Sequence, residues 1–178
     1  MRLDSVAMTI DEVDAQFAAR FAERFADAWR SPDLAKHKAL WSDDIVLSQL
    51  MMGTLRGKQA CLEAFQRLFA LVPDLHADVH RVGHGRREVF IEFTLRGTYG
   101  GKPIAWDAVD RFTFTDGLIA ERVSYFDATP LIGKLVARPA GWDCASVLSC
   151  FGANGRTART ATVAADRGCP PIRRPPCR

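Results

Sequence analysis

Two periodicities divide the chain. Phe17, Phe21 and Phe25 recur every four residues, with Ala18, Ala22 and Trp29 close to the same stripe. That spacing predicts an amphipathic helix with one aromatic face. Thr9 followed by Glu12 offers a capping box to open it, and Ser31-Pro32-Asp33 breaks it. A short helix is expected from Leu34 to Trp41. "DDIVLSQL" reads as a first strand, Gly53 and Gly57 flank a turn, and "KQACLEAFQRLFALV" predicts a third helix ending at Pro73. Beyond it the period becomes two. Strands are expected over His76–Val82, Glu88–Gly97, Pro103–Thr115 and Leu118–Phe126, with hairpin turns at "YGGK" and "TDG". Helices first and an antiparallel meander second make an α+β fold rather than alternating α/β.

Periodicity fails from Pro139 onward. Large apolar residues nearly vanish after Phe151, while Gly, Ala, Arg, Thr and Pro dominate. Such a segment buries too little surface to offset its ordering entropy, so a domain over 1–138 and a disordered tail over 139–178 are expected.

Charge and cysteine follow the same division. The net charge is +3, but residues 141–178 hold six arginines and two aspartates, which is +4, leaving about −1 for the rest (3 − 4). The basic character belongs to the tail, and arginines dispersed without aromatic interleaving do not favour a nucleic-acid partner. Cys61 lies within the domain, while Cys144, Cys150, Cys169 and Cys177 lie in the tail at spacings that match no zinc pattern. The N-terminus shows no apolar leader and no run is long enough to span a membrane, so a reducing cytoplasm is the expected location.

The strand over Pro103–Thr115 carries the candidate chemistry. Its alternation puts Ile104, Trp106, Ala108, Asp110, Phe112 and Phe114 on one face, and Ala105, Asp107, Val109, Arg111 and Thr113 on the other. The first set is large and aromatic, so it should face the core, and it contains a carboxylate. With the next turn centred on Asp116-Gly117, Asp110 falls near Ser124, and Arg122 lies one diagonal step away, within reach of a long side chain. An Asp110–Arg122 pair would let an acid tolerate an aromatic wall. His76, His80 and His84 do not suggest a metal. On a strand the first two lie about 13 Å apart at ~3.3 Å per residue, too far to share an ion.

The segments "LWSDDIVL", "GTLRGKQACLEAF" and "DRFTFTDGLIAERVSYFD", in this order, resemble the SnoaL-like branch of the nuclear transport factor 2-like superfamily over roughly Asp11 to Pro139. The resemblance implies a cone in which a curved sheet wraps the helices around an apolar ligand pocket. It also implies that Arg122, Ser124 and Phe126 point inward on the last strand. In ketosteroid isomerases of this superfamily an acid lies at the Asp110 position, a general base at the Gln49 position, and a tyrosine in the first helix where this chain has Phe21 and Phe25. In limonene epoxide hydrolases the catalytic strand positions correspond to Phe93, Leu95 and Ser124, and Gln49 fits a residue that helps hold water.

The expected site therefore has Asp110, Arg122 and Gln49 as its chemical groups. Trp106, Phe112, Ser124 and Phe126, with Phe93, Leu95 and Phe25, are expected to contact the ligand. No metal and no cofactor are expected. The substrate class is a small apolar molecule of polyketide, steroid or terpenoid type, isomerised, cyclised or dehydrated by acid/base chemistry. A noncatalytic binding module of the same fold is the alternative. The mixed outer strand face and the resemblance together imply a homodimer.

Overall fold

The computed structural model describes residues 13–129. Thr9, Glu12, the boundary expected at 138 and the tail beyond it lie outside these residues. Helix α1 spans Ala15–Trp29 and is opened by Asp14, whose carboxylate accepts from the Phe17 N–H at 2.6 Å. Helix α2 spans Leu34–Lys38, with Asp33 accepting from the Ala35 and Lys36 N–H groups. It stops three residues short of the expected Trp41. Leu40 instead gives its carbonyl to the Ile119 N–H, and Trp41 starts strand β1, Trp41–Gln49.

The segment expected as a turn between Gly53 and Gly57 is strand β2, Gly53–Arg56, paired antiparallel with β1. Its register sets Leu55 opposite Leu47, so one buried leucine covers another. Helix α3 follows over Lys58–Leu71. Strands β3 (His76–His84), β4 (Glu88–Tyr99), β5 (Lys102–Thr115) and β6 (Leu118–Phe126) then form the meander. Both of its tight turns carry positive φ at two central residues, Gly100-Gly101 and Asp116-Gly117. That geometry matches the twist of the flanking strands.

The sheet order is β2-β1-β6-β5-β4-β3, with β1 parallel to β6 and every other pair antiparallel. The sheet is thus mixed, curved and unclosed, and the helices fill its concave face in a cone-shaped α+β fold. Phe21 and Phe25 of α1 pack on Phe112 with ring centroids 4.9 and 5.5 Å apart. Trp29 and Phe65 join the two long helices at 5.7 Å. The aromatic stripe of the first helix is therefore spent mainly on packing against β5 and α3.

Candidate functional site

Strand alternation carries Asp110 and Phe112 to the concave face of β5, where both are fully buried. The next strand reaches the same face through an irregularity. Thr113 pairs with Glu121 but Phe114 pairs with Ile119, so Ala120 is an extra residue without a partner. Ile119 and Arg122, three residues apart, are consequently both turned inward and both buried. Arg122 faces Phe112, and Ser124 faces Asp110, across the β5–β6 pair.

Three side chains close into one unit. Arg122 donates Nε–H to Asp110 Oδ2 at 2.5 Å, and Ser124 donates its hydroxyl to Asp110 Oδ1 at 2.5 Å. The guanidinium carbon lies 5.5 Å from the Trp29 ring centroid and 5.7 Å from that of Phe65, so two aromatic rings lie together on one side of the charge. Burial pushes the Asp110 carboxyl above its ordinary range, and Arg122 and Ser124 pull it back only in part. This is a carboxylate held at raised proton affinity inside an apolar body.

Beside this unit the concave face opens into a cavity holding about 60 Å³ of space that water can enter. That is room for about two waters at ~30 Å³ each. Its wall includes Phe93, Leu95, Trp106, Phe126 and Ser124 from the strands, with Gln49 and Arg122 as further polar groups. Gln49 is paired with Ser124 across β1 and β6, which explains how the first strand reaches the site. Two residues expected against the ligand do not reach this wall. Phe25 and Phe112 meet edge to face and are fully buried in the core. Asp110 is likewise absent from the wall, because Arg122 and Ser124 stand between it and the space.

The wall also includes Trp29, Met51, Met52, Phe65 and Leu68, none of which the sequence marks as a ligand contact. Trp29 continues the every-fourth stripe of Phe21 and Phe25, so its helix face was legible but its place at the cavity was not. His37 was missed altogether. Its ring is caged by Trp29, Trp41, Phe65 and Phe69, and Nδ1–H donates to the Asp33 carbonyl at 2.8 Å. The other nitrogen, Nε2, has no hydrogen-bond partner among the described residues. Desolvation lowers the pKa of His37 from 6.5 to about 4, so it is neutral at physiological pH. Cys61 is buried, with its thiol pushed up to about 11 by desolvation, which leaves it unreactive.

No group of His, Cys, Asp and Glu among the described residues is arranged to hold a metal. Of the β3 histidines, His80 serves the convex face instead. His80 and Thr94 are joined at 2.7 Å, and Thr94 donates to Asp107 at 2.6 Å. Asp127 accepts from the Thr129 N–H at the end of β6, a local turn contact.

A family model described as a SnoaL-like domain matches residues 22–122. Among solved structures, an LEH-like epoxide hydrolase from M. tuberculosis is 24% identical, with a TM-score of 0.59, covering 68% of this chain and 91% of that one. A SnoaL-like protein from Burkholderia thailandensis is also 24% identical, with a TM-score of 0.57, covering 65% and 98%. A protein of ketosteroid isomerase-like fold from Catenulispora acidiphila, solved with trimethylamine, is 17% identical, with a TM-score of 0.60, covering 73% and 98%. No curated protein matches the chain.

Proposed function

Because the chain belongs to the SnoaL-like domain family, we propose that it binds a small apolar molecule in the concave cavity and transforms it without a cofactor, through Asp110, Arg122 and Ser124. Isomerisation, cyclisation or dehydration by acid/base chemistry is the reaction class. The observation that carries this reading is the buried Asp110–Arg122–Ser124 unit set against an otherwise apolar wall. A core with no chemical task has no need of a desolvated ion pair there, since well-packed apolar residues are often at least as stable.

The roles follow from the contacts. Asp110 does not meet the ligand. Ser124 does, and its hydroxyl already points at Asp110. A ligand proton passes to Ser124 Oγ as the Ser124 proton passes to Asp110 Oδ1, and the reverse sequence delivers a proton. Arg122 sets the orientation of the carboxylate, and Gln49 orients the ligand or a water at the β1 side. One observation favours a noncatalytic binding module instead. Among the described residues the wall holds Gln49, Arg122 and Ser124 as its non-aromatic polar groups, and none of these is a base on its own.

The test is a thermal-shift screen of polyketide, steroid and terpenoid ligands against the wild type and Ala108→Phe. Ala108 lies on the cavity wall, so the larger ring fills the space. Ligands that raise the melting temperature of the wild type and not of the variant support the cavity as the site. A shift of equal size in both proteins places binding elsewhere and ends the proposal. Asp110→Asn then separates the two readings once a ligand is known. Turnover lost by about 10²–10⁴ with affinity retained supports catalysis.

A further inference from the structure

Among the described residues Arg122 uses one of its nitrogens. Nε–H is given to Asp110, and no hydrogen bond to either terminal nitrogen is present among the described residues. The side chain is almost fully buried, yet it lines the cavity. Its charged end is held by Asp110 and packs against the adjoining Trp29 and Phe65 rings. The guanidinium thus presents preoriented N–H donors to an apolar space.

Charge accounting limits what can meet those donors. Arg122 and Asp110 already neutralise each other inside the protein. A ligand carboxylate would add a third buried charge with no cation left to balance it, and an ammonium would face a guanidinium. A purely apolar ligand would displace water from the terminal nitrogens and leave them without an acceptor. An uncharged oxygen acceptor satisfies them without changing the balance.

Size sets the second limit. About 60 Å³ admits a head group of a few heavy atoms, not a polycyclic body. The mouth is apolar, with Met51, Leu68, Trp106 and Phe126 on the wall and Leu50 exposed next to Met51.

We infer that the cavity takes the small, oxygen-bearing head of a neutral molecule against the terminal N–H groups of Arg122, with the apolar remainder of the molecule lying across the mouth. This rests on the cavity being the ligand site, as proposed above. Arg122 is then the residue that sets ligand class, and Asp110 is its positioning residue.

The experiment is an NMR titration of the full chain with four six-carbon probes: 2-hexanone, hexanoate, hexylamine and hexane. It is run on the wild type and on Asp110→Leu combined with Arg122→Met, which replaces the pair by apolar residues of similar bulk so that the fold is kept. In the wild type 2-hexanone should bind about tenfold or more tightly than each of the others, the worth of one hydrogen bond to a charged donor. Its binding should shift the Arg122 side-chain resonances. In the double variant that preference should vanish and hexane should bind at least as well as the ketone. Hexanoate binding more tightly than 2-hexanone would overturn the charge rule. Equal binding of ketone and hexane, or an unchanged ketone preference in the double variant, would overturn the role of Arg122 while leaving the cavity as a site. Failure of all four probes, with no shifts at cavity residues, would remove the cavity reading itself.

Discussion

At the residue scale two buried titratable groups, Asp110 and His37, have opposite needs. Arg122 stabilises Asp110 only as a pair. Arg122→Ala leaves a carboxylate buried without its cation, and a loss of about 3–5 kcal/mol in unfolding free energy is expected from denaturant titration. The paired replacement Asp110→Leu with Arg122→Met should lose far less, because no charge is left behind. Equal losses in the two proteins would mean that the ion pair itself supports the fold. His37 supplies a pH signature. Its folded-state pKa of about 4 lies below the ordinary 6.5, so folding favours the neutral ring. Above 6.5 both states are neutral and this contribution is complete; as the pH falls toward 4 the unfolded chain takes up a proton that the folded chain refuses. On the order of 3 kcal/mol is lost across that window. Asp110, raised by burial, acts in the opposite sense, and so the informative quantity is the difference from His37→Phe. The variant's stability should fall less between neutral pH and the pKa of His37, and parallel curves would contradict the assignment.

At the element scale the sheet is fixed by a few small residues. Gly97 lies in β4 where the chain leaving α3 passes close beneath it. A Cβ there would stand 2.5 Å from a methyl of Val72 and 3.4 Å from the Leu75 backbone. Gly97→Ala should therefore cost about 1–3 kcal/mol through overpacking, read as a lowered melting temperature. An unchanged melting temperature would show that the Val72 turn moves freely. The same strands show what the sequence made legible. Alternation placed Asp110 with Trp106 and Phe112, and the turn at Asp116-Gly117 placed it opposite Ser124, as the register has it. The inward parity of Arg122 was not readable from alternation, because the extra residue Ala120 breaks the count between Ile119 and Arg122. Nor was β2, whose four residues alternate too briefly to be told from a turn. Phe25 and Phe112 mark another limit. A strand or helix face can be read as inward, but whether an inward ring ends in the core or at the cavity depends on which helix covers it.

At the scale of the whole molecule the two sheet faces divide the labour. The concave face holds the cavity. The convex face exposes Phe90, Val109 and Tyr125, with Val109 and Tyr125 directly paired across β5 and β6. Around them lie the ion pairs Arg111–Glu121, Arg81–Glu92 and Arg96–Asp78. We expect this mixed surface to join two copies. Light scattering at micromolar concentration should give a dimer, and Tyr125→Glu should shift it toward monomer. A wild type that scatters only as a monomer would rule the expectation out. No helix among the described residues is long and apolar enough to cross a membrane.

On this proposal the cavity beside Arg122 is where a ligand meets the protein. A crystal structure of the full chain with the best ligand from the screen tests it most directly. The predicted result is a ligand in the concave cavity, one uncharged oxygen about 2.7–3.2 Å from a terminal nitrogen of Arg122, and Asp110 still held by Arg122 and Ser124 without touching the ligand. A ligand seated on the convex face, or one in the cavity whose oxygen ignores Arg122, would contradict it.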